Sequence, residues 1–183
     1  MKIFPGTAVF VLFIFSGLAF AEVKDSGAGG FTTVNEVTIE ASGEVVWRTA
    51  IEDVGLWWSS DHTVSGDASR LSITAVPQGC FCESFGKGAG VVHLSVTMVN
   101  PGVIIRLTGG LGPLGLMGVN GNMTWEFEAV EGGTQVKFTY AVGGYRAEGL
   151  DTIAEPVDYV IGEALARLKS QIETGDPENA DIG

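Results

Sequence analysis

Along much of the chain apolar residues recur at every second position. Met123, Trp125, Phe127 and Ala129 alternate with Thr124, Glu126 and Glu128, and Val136, Phe138, Tyr140 and Val142 alternate with Gln135, Lys137 and Thr139. Glu131-Gly132-Gly133 joins the two runs, so they predict an antiparallel hairpin with one dry and one wet face. The same period continues upstream. Leu71, Ile73 and Ala75 run to the Pro77-Gln78-Gly79 turn, Cys80 to Phe85 returns, Val91 to Val99 follows a glycine-rich turn at 86–90, and Asn100-Pro101-Gly102 leads into Val103 to Thr108. The first alternation, in Phe31 to Ala41, sets Val37, Ile39 and Ala41 against Glu36, Thr38 and Glu40.

Two segments carry a helical period instead. Ser42 is a natural N-cap for the stripe Val46, Trp47, Ala50, Ile51 and Val54, which ends at Gly55. A second short helix or turn starts at Leu56-Trp57-Trp58. After Gly143-Gly144, the residues Ile153, Val157, Val160, Ile161, Ala164, Leu165, Leu168 and Ile172 form a wide apolar face at 3.6 spacing. Gly162 inside this helix costs about 1 kcal/mol relative to Ala, which points to a close approach or a cavity wall. The order predicts an α+β fold: about seven antiparallel strands curved around one long C-terminal helix, with two short helices after the first strand. A curved sheet gripping one helix leaves space between them.

Composition narrows the function classes. The net charge of −12 and the acidic pI argue against nucleic-acid and anionic-membrane partners, which require a basic face. Met1-Lys2, the uncharged run Ile3 to Ala21 and the small residues Ala19 and Ala21 read as a signal peptide over 1–21, cleaved to leave Glu22 first and no stable membrane insertion. Residues 22–30 read as a flexible lead-in, 31–173 as the folded domain and 174–183 as an acidic disordered tail. A monomer is expected.

The candidate chemistry is sparse. Gly110-Leu111-Gly112-Pro113-Leu114-Gly115 matches a dinucleotide fingerprint, but no helix start follows it, so no cofactor is assigned. The segment reads instead as a mobile apolar lid carrying Leu111, Leu114, Leu116 and Met117. Cys80 and Cys82 would sit about 6.5 Å apart in a regular strand with parallel side chains, so two small buried hydrophobes are expected, with a strained, reducible bridge as the alternative. The spacing is too short for structural zinc, and no metal is assigned. His62 with Asp61 or Glu83 is the acid/base candidate. Glu83 is expected to be solvated unless Phe81 and Phe85 carry it inward, and His93 to face outward while Leu94, Val96 and Met98 face the core. From Ser84 to Trp125 there is no Asp or Glu, as suits a buried wall. Trp58, His62, Phe85, Leu114, Met117, Trp125, Tyr140 and Tyr159 are the candidate ligand contacts.

This order of elements resembles the START-like, or SRPBCC, helix-grip superfamily. The resemblance rests on 42–47 leading into Leu56-Trp57-Trp58, on Val99-Asn100-Pro101-Gly102 before Ile104-Ile105-Arg106-Leu107, on 134–140, and on Val157 to Glu173 as the terminal helix. Residues 61–67 and 79–83 are similar to exported members of its heat-shock-ATPase-activator-like branch. The resemblance implies a cavity for a small hydrophobic molecule such as a lipid or polyketide. It also leaves a cyclase, dehydratase or hydrolase and a co-chaperone-like interaction module as alternatives. It carries over no catalytic motif.

Overall fold

A computed structural model describes residues 20–182 of the chain. Eight strands form one antiparallel sheet: β1 (Phe20–Gly27), β2 (Gly30–Ile39), β3 (Leu71–Ile73), β4 (Cys80–Gly86), β5 (Ala89–Asn100), β6 (Ile104–Gly109), β7 (Gly118–Val130) and β8 (Gly133–Tyr145). Their order is β1-β2-β8-β7-β6-β5-β4-β3. β3 to β8 is therefore a simple meander, and β2 closes onto β8. Two short helices, α1 (Gly43–Glu52) and α2 (Val54–Trp57), follow β2, and the long helix α3 (Ala154–Thr174) ends the fold. The Ser42 hydroxyl accepts from the Val45 N–H and so caps α1, as its sequence position predicts.

The expected seven strands are β2 to β8, and the eighth is β1. Residues 22–30, expected to be a flexible lead-in, are instead β1 and a tight turn, with Gly27 opposite Gly30. Pairing needs only backbone groups, and β2 would otherwise expose a row of unpaired N–H and C=O along its edge. The turn is also tied down, because the Leu150 and Gly144 amides donate to Ala28 and Gly29. The predicted leader lies outside the described residues except for Phe20 and Ala21, whose backbones pair with Glu36 and Asn35.

The acidic tail is likewise ordered beyond α3. Gly175 ends the helix in the left-handed conformation, φ 78°, which glycine adopts without a Cβ penalty. Residues 177–179 then form a short 3-10 turn, and Glu178 accepts from Arg167 Nη2 at 2.5 Å. Ser170 Oγ donates to the Asp176 carbonyl at 2.8 Å.

On the inner face every second residue of β2, β8 and β7 is buried: Phe31 to Ile39, Thr134 to Val142, and Gly121 to Phe127. α3 packs most closely on β2 and β1. It buries Ile161, Ala164, Leu165 and Leu168 against this face. An aromatic array continues the core, with Trp125 stacked on Phe138 (ring centroids 4.4 Å) and Phe81 set between Trp58 and Trp125.

Because Leu168 is fully buried and Leu116 is 93% exposed, truncation separates the two. Leu168→Ala is expected to cost about 3 kcal/mol of unfolding free energy and Leu116→Ala less than about 0.5 kcal/mol, as urea titration would measure.

Candidate functional site

Two of the inward positions on β2 are polar. Thr33 and Asn35 continue the alternation of Phe31, Val37 and Ile39, so their side chains point under α3, where they are buried. Asn35 Nδ2 donates to Asp158 Oδ1 of α3 at 2.9 Å, and this fixes the amide so that its Oδ1 faces the other way. Asn35 Oδ1, Thr33 Oγ1 and Trp125 Nε1 have no hydrogen-bond partner among the described residues. Each such buried group costs about 1–3 kcal/mol when nothing meets it. The apolar alternation in the sequence picks out Val37 and Ile39, and the same parity carried back two and four residues from Val37 reaches Asn35 and Thr33.

A second polar group sits at the β4–β5 pair. Phe81 pairs with Leu94 but Cys82 pairs with Val92, so His93 is an extra residue in β5. A bulge of this kind puts two successive side chains on one face, and both His93 and Leu94 are buried. His93 therefore faces inward, not outward as strict alternation requires. A further irregularity between Val96 and Met98 turns Met98 outward. Glu83, expected to be solvated, is 1% exposed. Its Oε2 accepts from Val64 N at 2.9 Å and from His93 Nε2 at 3.1 Å, and its Oε1 accepts from Ser65 N at 2.5 Å. Burial pushes the Glu83 carboxyl up, but the hydrogen bonds from Ser65, Val64 and His93 outweigh it and hold the group below its ordinary value. Being ionised, Glu83 only accepts, so His93 Nε2 carries the proton and donates.

Cys80 and Cys82 alternate with buried Phe81 and Glu83, are half-buried on the opposite face, and are joined as a disulfide. The expectation of two free buried hydrophobes fails: their Cα atoms lie 5.4 Å apart, closer than in a regular strand and inside the disulfide range.

His62 does not join Glu83. Its Nε2 lies 2.9 Å from Glu163 Oε2 on α3, its carbonyl accepts from Trp58 Nε1, and Asp61 is exposed. Arg167, one turn after Glu163, donates from Nε to the Trp57 carbonyl at 2.9 Å. The predicted His62–Asp61 or His62–Glu83 group is thus replaced by two separate pairs, His62–Glu163 and Glu83–His93. Glu163 lies 101 positions from His62, and His93 reaches Glu83 only through the bulge, so neither pairing leaves a local signal.

Of the predicted ligand contacts, Trp58, Leu114, Trp125 and Tyr140 are buried, Met117 packs partly buried against the core, and His62 is half-buried. Phe85, near the β4–β5 turn, is 38% exposed and Tyr159 on α3 is 55% exposed, so neither shares the interior with Trp125. The 109–121 segment contains a short 3-10 turn at Gly112–Leu116, and the residues after the glycine fingerprint lead into β7 rather than into a helix. Tyr140 anchors this segment: its hydroxyl donates to the Gly109 carbonyl at 2.9 Å and accepts from Leu111 N at 3.1 Å. Burial raises the phenol to about 12, so it stays protonated. Gly121 makes room, since a Cβ there would lie 2.4 Å from the Tyr140 ring.

A family model described as polyketide cyclase / dehydrase and lipid transport matches residues 30–173. The chain belongs to this family. Among solved structures, the chain is similar to a conserved protein of unknown function from Enterococcus faecalis (16% identity, 90% of this chain and 83% of that one, TM-score 0.57). It is also similar to CalU16 from Micromonospora echinospora (14%, 88% and 86%, 0.56) and to the Aha1 dimer from Colwellia psychrerythraea (19%, 79% and 97%, 0.52). At these identities the likeness is one of fold. No curated protein sequence matches this family member significantly.

Glu83 is held below its ordinary pKa, so its contribution is complete above the usual carboxylate range and is lost as pH falls through the folded-state value. Glu83→Gln is expected to lower unfolding free energy by about 3 kcal/mol at pH 7, with the gap from wild type narrowing in urea titrations below the usual carboxylate range.

Proposed function

We propose that this protein binds a small hydrophobic molecule, a lipid or polyketide-like compound, between the inner sheet face and α3, and that it acts as an exported monomer. The carrying observation is the set of buried polar atoms on Thr33, Asn35 and Trp125 that no described protein group satisfies, in an interior lined mostly by aromatic and aliphatic side chains, with Asp158 beside Asn35. A bound molecule supplies the missing partners, and the family description, which includes lipid transport, supports the reading. The apolar segment around Leu114 and Leu116, held at its base by Tyr140, is the entrance that opens to admit it.

Export is supported by the leader-like N-terminus and by the Cys80–Cys82 bridge, since disulfides persist in oxidising compartments. N-terminal sequencing of the protein from a periplasmic or secreted fraction is expected to begin at Glu22. Retention in the cytoplasm would remove this part of the proposal.

A second reading, an enzyme of cyclase, dehydratase or hydrolase type, is favoured by one observation: a carboxylate that fixes the tautomer of a buried histidine, as Glu83 does for His93. Its acid/base group is Glu83–His93, not His62. His93→Gln leaving turnover unchanged on a substrate of the protein would end it.

For the binding reading, native mass spectrometry of protein purified under mild conditions is expected to show a retained or added apolar molecule. Displacement of a fluorescent apolar probe is expected at micromolar concentration, and sedimentation is expected to report a monomer. No uptake of any apolar probe would overturn the binding reading.

A further inference from the structure

The unsatisfied interior groups have a definite donor and acceptor pattern. Trp125 Nε1 only donates, Asn35 Oδ1 only accepts and is turned away from Asp158 by the Nδ2 hydrogen bond, and Thr33 Oγ1 does either. Register brings them together. Asn35 pairs with Phe138 and Phe138 with Trp125, so the first and last lie in one row across three strands, roughly 10 Å apart at the backbone before their side chains lean into the interior. Thr33 is the next inward residue of β2, and in the following row it pairs with Tyr140. Phe138 stands between Asn35 and Trp125 in the row, with its ring stacked on Trp125.

The charges nearby decide what can dock there. Among the described residues no Lys or Arg bonds to the unpartnered atoms of Thr33, Asn35 or Trp125, and the carboxylate of Asp158 sits on Asn35. On α3, Arg167 is engaged by the Trp57 carbonyl and Glu178, and Lys169 by the Thr38 carbonyl and Glu173. A carboxylate or phosphate carried into this site would meet no Lys or Arg bonded to these three groups among the described residues and would lie near the Asp158 carboxylate on Asn35, which is far more costly than burying a neutral group that is hydrogen-bonded. A hydroxyl does what an anion does not: its oxygen accepts from an indole N–H and its hydrogen goes to an amide or hydroxyl oxygen.

Resting on the ligand-binding reading above, we infer that this subsite takes a neutral hydroxyl group on an otherwise apolar molecule, in preference to a fatty-acid carboxylate. Thr33, Asn35 and Trp125 then act as specificity residues, and the aromatic array beside them accepts the chain.

The test compares 1-tetradecanol, tetradecanoate and an uncharged alkyl probe without a hydroxyl, titrated at pH 8 into protein expressed from the full-length sequence. The wild type, Trp125→Phe and Thr33→Val are used, each first shown to unfold cooperatively. The expected result is at least ten-fold tighter binding of the alcohol than of the carboxylate. Trp125→Phe keeps the ring and removes the N–H. It is expected to weaken alcohol binding about ten-fold and leave the alkyl probe unchanged, and Thr33→Val to act in the same direction less strongly. Equal or tighter binding of tetradecanoate, or an alcohol affinity unmoved by both variants, would overturn the hydroxyl assignment while leaving the binding reading intact. If none of the three probes binds, the binding reading itself fails and this inference falls with it.

Discussion

An antiparallel sheet that is dry on one face must be covered, and here α3 does the covering. The long strands β7 and β8 set Met123, Trp125, Phe127, Val136, Phe138 and Tyr140 on a single face, and α3 brings Ile161, Leu165 and Leu168 onto the same core. Burial of so much apolar surface is the dominant favourable term for a domain of this size. The other contacts of α3 fix where it lies. Lys169 reaches the Thr38 carbonyl, Glu173 accepts from the Glu40 amide, and Arg167 holds the Trp57 carbonyl, so the helix is tied at β2 and at the end of α2. Polar groups on the covered face then have nowhere to turn except to each other or to something enclosed with them. Thr33, Asn35 and Trp125 carry the proposed function for that reason.

The bulge at His93 is the second organising feature. One extra residue in β5 sends two consecutive side chains to the inner face, and this is what brings an imidazole to the Glu83 carboxylate. The carboxylate in turn accepts from the Val64 and Ser65 amides, so a single buried charge anchors the loop between α2 and β3 onto the sheet. On the opposite face of β4, Cys80 and Cys82 are joined as a disulfide. Imidazole, carboxylate and loop thus meet at one point of the sheet.

The legible part of the site is the part that obeys a period. Trp125 and Tyr140 fall on the dry side of plain two-residue alternations, and both are buried. Thr33 and Asn35 obey the same alternation, but their polarity hides them from a search for apolar residues. Phe85 and Tyr159 show the opposite error: large aromatic side chains invite an interior assignment, yet one sits beside a hairpin turn and the other on the open side of α3. His93 was illegible because a bulge reverses the parity of everything beyond it, and nothing in Val92-His93-Leu94 announces the extra residue.

The sequence by itself determined the element types, the meander of hairpins, the α3 stripe and the family resemblance, because periodicity, capping and turn chemistry act over a few residues. It also determined the acidic balance that argues against nucleic acid. Tertiary structure decided the pairing of β1 with β2, the docking of the C-terminal turn on Arg167, and the partners of every buried polar group. Glu83 meets His93 through a bulge, His62 meets Glu163 across 101 positions, and Asn35 meets Asp158 across 123. Such contacts join groups whose separation along the chain carries no periodic signal, so only the folded chain brings them within hydrogen-bonding distance.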